Sequence, residues 1–136
     1  MAYRMKTLFF SLLLTLSSVA DNLSWRGDYD TARKEAVQHE KALLVLLVKA
    51  KEVSTHKMLR ELFADRPYLK TFQSKSVAVL ITYEHGADYP VELYYTTRFP
   101  ALFIVDEDER FVVEPLYGEE ITAQALRELA KRLESR

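Results

Sequence analysis

The run Ala42-Leu43-Leu44-Val45-Leu46-Leu47-Val48 constrains this chain more than any other segment. A strand of uninterrupted apolar residues has no polar face to turn toward water, so it must be covered on both sides. The run therefore predicts a central strand over Ala42–Val48, inside a sheet flanked by helices. Val77–Thr82 reads as a second buried strand. A helix between two such strands argues for a right-handed parallel unit.

The remaining punctuation completes the outline. The three glycines and four prolines mostly fall between periodic segments, where turn chemistry places them. Asp28 or Asp30 is expected to cap a first helix running to about Glu40, with Tyr29, Ala32, Ala36 and Val37 inward. A second helix is predicted over Ser54–Ala64, capped by the hydroxyl of Ser54 or Thr55. Pro67 then opens a helical turn carrying Tyr68, Leu69 and Phe72. Val91–Tyr95 reads as a short helix. Ala101–Val105 and Phe111–Glu114, separated by the acidic turn Asp106–Glu109, read as a hairpin. A last helix starts near Thr122, with Ile121 and Leu126 spaced as a hydrophobic staple and Leu126, Leu129, Ala130 and Leu133 as its apolar stripe. The sum is an α/β sandwich: a mixed central sheet with helices on both faces.

The N-terminus reads as a leader. Arg4 and Lys6 form a basic start, Leu8–Leu16 is apolar apart from Ser11 and Thr15, and Ser18-Val19-Ala20 offers small residues for a signal peptidase. Translation from Met1 or from Met5 gives an equally good leader. The apolar stretch falls short of the roughly 20 residues of a membrane span, which favours cleavage after Ala20 over an uncleaved anchor. The expected division is a signal peptide, 1–20, and one domain, 21–136, located in the periplasm or secreted. The mature domain has a formal charge of −3 and offers no general electrostatic grip on nucleic acid or anionic lipid. The chain has no cysteine, so packing alone must hold the domain together.

Two segments carry a family resemblance. Arg98-Phe99-Pro100-Ala101-Leu102-Phe103-Ile104-Val105-Asp106 resembles the segment in which thioredoxin-like proteins place a cis-proline before a core strand. The turn after Ala42–Val48, followed by Lys57-Met58, resembles the place where that family carries Cys-x-x-Cys. Here Val53-Ser54-Thr55-His56 stands in its place. Trp25 followed by Asp28-Tyr29-Asp30 is similar to the opening of exported thioredoxin-related proteins, and the resemblance spans about Trp25–Leu133. It implies a thioredoxin-like fold, a cis Phe99–Pro100 bond, and a loop at Arg98, Phe99 and Pro100 facing a vestigial active-site turn at Val53–His56.

The chemistry of that family does not follow. Disulfide exchange needs a thiolate and a second thiol to resolve the mixed disulfide, and this chain supplies neither. Ser54 and His56 lack the spacing that aligns a nucleophile with its base at a helix start, and no G-x-S-x-G elbow is present. His39, His56 and His85 are scattered, with no H-x-x-x-H pair. A metal site from His56 and His85 with Glu84 or Asp88 needs convergence that the spacing does not provide. The run Asp106–Glu109 lacks calcium-loop spacing. No catalytic residue, metal ligand or cofactor is expected.

A binding role survives the loss of thiols. Tyr83, Tyr89, Tyr94, Tyr95 and Phe99 crowd the region before Pro100; some can pack in the core and others can line a groove. The resemblance implies that the loop before Pro100 can pair with an extended peptide through main-chain groups. The expected function is a redox-inactive exported protein that binds a polypeptide partner in the cell envelope, as an adaptor, holdase or assembly factor. The competing class is an enzyme or metal-handling protein rebuilt around His56 and His85. Intact-mass analysis of the protein from its native cells should find the N-terminus at Asp21, and an unprocessed product would contradict export by this leader.

Overall fold

The computed structural model describes residues 23–83 and 88–136. The leader with its cleavage after Ala20, as well as Glu84, His85 and Gly86, lies outside the described residues. The elements are β1 (Trp25–Arg26), α1 (Tyr29–Gln38), β2 (Ala42–Val48), α2 (Val53–Leu62), α3 (Leu69–Lys75), β3 (Ser76–Thr82), β4 (Ala101–Val105), β5 (Leu116–Tyr117) and α4 (Ala123–Glu134), with a 3₁₀ turn at Gly118–Glu120. The strands form one sheet in the order β1-β3-β2-β4-β5. β2 runs parallel to β3 and antiparallel to β4, with Leu46 opposite Leu80 on one side and Leu102 on the other.

The alternation along β2 divides the interior. Ala42, Leu44, Leu46 and Val48 join Ala78, Leu102 and Ile104 on one face, under Phe63, Tyr68, Leu69, Phe72, Leu126, Leu129 and Leu133. Leu43, Val45 and Leu47 join Val77, Val79, Phe103 and Val105 on the other, against Tyr29, Ala32 and Ala36 of α1 and against Tyr89 and Tyr94. All seven β2 residues are buried. Helices α2, α3 and α4 thus cover one face and α1 the other, as the two-sided apolar run requires.

Local signals account for most helix starts. Asp28 caps α1 by accepting from the Thr31 N–H, and Thr122 caps α4 by accepting from Ala125 N–H. Ile121 and Leu126, either side of that cap, are buried in the same cluster. Tyr68 donates its hydroxyl proton to Leu62 C=O, closing the link between α2 and α3.

Three expectations are corrected. Val37 is 45% exposed, because the face of α1 that meets the sheet is narrow and is filled by Tyr29, Ala32 and Ala36. The segment expected as a helix, Val91–Tyr95, forms turns over 91–94 and not a helix: Leu93 and Tyr94 N–H both reach only to Pro90 C=O, and no second turn follows. The second arm of the hairpin is not Phe111–Glu114. Val105 bridges Phe111, but regular pairing with β4 comes from Leu116–Tyr117, opposite Leu102 and Ala101. Pro115 has no N–H to give to a ladder and disfavours helical geometry before it, so the arm is broken there. Strand β1, parallel to β3, was too short to register as a pattern in the sequence.

Leu46 sits at the centre of this arrangement with no exposure. Leu46→Ala should lower unfolding free energy by about 2–5 kcal/mol, through lost transfer energy and a cavity that close neighbours cannot fill. Val37→Ala should change it by less than about 0.5 kcal/mol. Denaturant unfolding of the two variants checks the assignment, and equal losses would contradict it.

Candidate functional site

The C-terminal ends of β2 and β3, the N-terminal end of β4 and the C-terminal end of β5 share one edge of the sheet. The segments that leave or enter there are Lys49–Glu52 leading into α2, Tyr83 after β3, Arg98–Pro100 before β4, and Gly118 after β5. Topology therefore gathers the Val53–His56 turn and the proline loop at one end of the molecule.

The turn is built by a left-handed step followed by a helix start. Lys51 has φ +65° and Glu52 is the N-cap of α2, with extended φ and ψ but no side-chain capping bond. The expected caps, Ser54 and Thr55, lie inside the first helical turn instead. Thr55 N–H donates to Glu52 C=O at 3.2 Å, closing that turn. Val53 is 80% exposed, Ser54 and His56 are exposed, and Thr55 is 4% exposed with its hydroxyl making no hydrogen bond. The helix thus presents Val53 and His56 outward, while Thr55 is buried and its N–H closes the turn on Glu52 C=O.

The Phe99–Pro100 bond is cis. Pro100 C=O accepts from Gly118 N–H at 2.8 Å, tying the loop to the end of β5. Gly118 has φ +54°, in the region where glycine is favoured, which fits the sharp exit from β5. The Thr96 hydroxyl accepts from Arg98 N–H and donates to Arg98 C=O, both at 2.9 Å, so the main chain of Arg98 is occupied. Phe99 N–H and C=O make no hydrogen bond among the described residues. Any main-chain pairing at this loop therefore falls to Phe99.

Aromatic rings and cations furnish the rest. Phe99 packs on Tyr83 with centroids 4.9 Å apart, and Lys49 Nζ stands 4.9 Å from the centre of the Phe99 ring. The Arg98 guanidinium lies 5.5 Å from the centre of the Tyr117 ring. Tyr83 is 45% exposed. Arg98 was expected in this loop, but Lys49 and Tyr117 went unremarked as site residues in the sequence; the signal was the position of each at the end of a strand.

The other aromatics of that region separate by role. Tyr89 and Tyr94 belong to the core. The Tyr29 and Tyr94 hydroxyls are 2.7 Å apart, and Tyr29 also reaches Glu109 at 3.4 Å. Burial pushes the Tyr29 phenol up to about 12 and raises the Tyr94 phenol further, so both stay neutral donors in a structural network. Arg33 Nε lies 3.1 Å from Glu109 without the alignment of a hydrogen bond. Tyr95 is 71% exposed and makes no ring contact with Tyr83 or Phe99.

Other hollows have different walls. One of about 680 Å³ is bounded by Val37, Ala42, Leu133 and Arg136, and a polar one of about 460 Å³ by Tyr29, Arg33, Asp88 and Glu109. Neither wall includes Val53–His56 or Arg98–Pro100. Asp88, considered with His56 for a metal, lines the polar hollow; Glu84 and His85 lie outside the described residues. Among the described residues no group of three His, Asp or Glu side chains converges on a metal position.

This sheet order and this paired arrangement of turn and proline loop define a thioredoxin-like fold, and comparison with solved structures agrees. The chain superposes on a candidate disulphide-isomerase from Bacteroides thetaiotaomicron with a TM-score of 0.64 at 19% identity, covering 85% of this chain and 96% of that one. The DsbH oxidoreductase gives 0.57 at 18% identity, covering 85% and 87%. A single-site mutant of thioredoxin from Halobacterium salinarum gives 0.51 at 13%, covering 85% and 90%. No family model matches the sequence, and no curated protein matches it. The chain thus has the thioredoxin-like fold without a cysteine, and it cannot form or resolve a mixed disulfide.

Paired cysteines can report the geometry of the turn. Glu52→Cys/Thr55→Cys should form a reducible disulfide more completely than Val53→Cys/His56→Cys. The latter pair sits on regular helix, where side chains three apart are about 5–6 Å apart at Cβ, beyond the roughly 3.5–4.5 Å of a relaxed disulfide. Thiol titration after mild oxidation measures both; a more complete bridge at Val53 and His56 would contradict this reading of the turn.

Proposed function

We propose that the chain is a redox-inactive thioredoxin-fold protein that binds polypeptide, acting as an adaptor, holdase or assembly factor after export. The observation that carries this reading is the gathering of Val53, Tyr83 and Phe99 at one sheet end, two of them well exposed. Isolated exposed apolar residues are ordinary, but several around one loop favour an interaction site. The unpaired main chain of Phe99 adds a donor and an acceptor beside them, which suits an extended segment. Such recognition uses apolar contact and main-chain bonds, and neither needs a thiol. Export rests on the leader pattern of Arg4–Ala20.

The test is binding of a labelled, permanently unfolded polypeptide to the full chain, followed by fluorescence anisotropy. Val53→Asp/Tyr83→Asp should weaken binding by about tenfold or more, about 1.4 kcal/mol, with the melting temperature unchanged. Equal binding by the variant, or no binding by the unaltered chain, would contradict the reading.

A further inference from the structure

Among the described residues four cations are held in ion pairs and the others make none. Arg26 pairs with Glu35, Arg33 with Glu109, Lys131 with Glu128 and Arg136 with Glu107. Lys49, Lys51, Lys57 and Arg98, all at or beside the Val53–Phe99 end, make no ion pair with a carboxylate among the described residues. Two of them are positioned by rings instead, Lys49 over Phe99 and Arg98 over Tyr117. The face of an aromatic ring attracts a cation without neutralising it, so each keeps its charge for another partner.

Among the described residues the acids of this end are fewer. Glu120 is engaged with the Tyr117 N–H at 2.8 Å, which leaves Glu52, half-buried at the N-cap, and Glu119; Glu84, next to Tyr83 in the chain, lies outside the described residues. α2 adds the positive end of its dipole, with no acidic side chain in its first turn. The chain as a whole carries a formal charge of −1, so this local excess of cations runs against its composition.

We propose that this end selects extended polypeptide segments in which carboxylates alternate with apolar side chains; the inference rests on the polypeptide-binding reading above. Val53, Tyr83 and Phe99 receive the apolar side chains. Lys49 and Arg98, steadied by their rings, meet the carboxylates, with Lys51 and Lys57 adding longer-range attraction. Alternation fits because successive side chains of an extended segment point to opposite sides, which lets one row lie on the rings while the other reaches the rim. A nucleic acid is the weaker candidate, since its affinity comes mainly from many phosphate contacts and the rest of this chain would repel it.

Three labelled peptides of equal length test the proposal with the full chain: Phe and Leu alternating with Glu, with Gln, or with Lys. The Glu peptide should bind about tenfold tighter than the Gln peptide, and the Lys peptide weakest. The preference for Glu should shrink on raising salt, and in Lys49→Gln/Arg98→Gln, but not in Lys131→Gln/Arg132→Gln, whose changes lie on α4. Unchanged melting temperatures establish that these surface variants are folded. Equal affinity for the Glu and Gln peptides would overturn the acidic preference while leaving polypeptide binding intact. No binding of any peptide would contradict both readings. An undiminished preference in Lys49→Gln/Arg98→Gln, or tighter binding of a single-stranded oligonucleotide than of the Glu peptide, would overturn the assignment of these cations to an acidic polypeptide.

Discussion

The structure hangs on the position of β2 between a parallel and an antiparallel neighbour. Hydrogen bonds to β3 and β4 on both edges leave β2 only its two faces, and both are apolar. Each fully buried leucine or valine there contributes roughly 1.5–3 kcal/mol relative to exposure, so the strand stabilises the domain only when helices cover both sides. That requirement places α1 on one face and α2, α3 and α4 on the other. It also fixes the site: a strand paired on both edges brings Lys49 to the same end as Tyr83, Pro100 and Gly118.

This end carries no dithiol, and main-chain contacts hold it. The N-cap position is kept by Glu52, the first turn is closed by Thr55 N–H, and the proline loop is tied to β5 through Gly118. None of these contacts involves a side chain that exchanges electrons. Thr55 carries a buried hydroxyl with no hydrogen-bond partner among the described residues.

The sequence was legible where burial is two-sided or a cap is chemical. Ala42–Val48 could be read to the residue because no position in it tolerates water, and Asp28 and Thr122 announced their helices through oxygens that accept from the first turn. It was misleading where one turn of structure imitates several. Val91 and Tyr94 have helical spacing, yet Pro90 C=O collects both available N–H bonds and the pattern ends. Phe111–Glu114 has strand composition, but Pro115 interrupts the ladder and moves pairing to Leu116–Tyr117. Strands β1 and β5 are too short to show a period. The cation–ring contacts of Lys49 and Arg98 were illegible because each joins residues far apart in the chain.

The central claim is that the sheet end around Phe99 receives an extended polypeptide. Amide chemical shifts of the isotope-labelled full chain, followed while an unfolded polypeptide is added, test it most directly. The account predicts that shifts concentrate at Lys49–Ser54, Tyr83, Arg98, Phe99 and Gly118, the segments that share this edge. Shifts centred instead on the hollow beside Val37, Leu133 and Arg136, or none at saturating polypeptide, would contradict it.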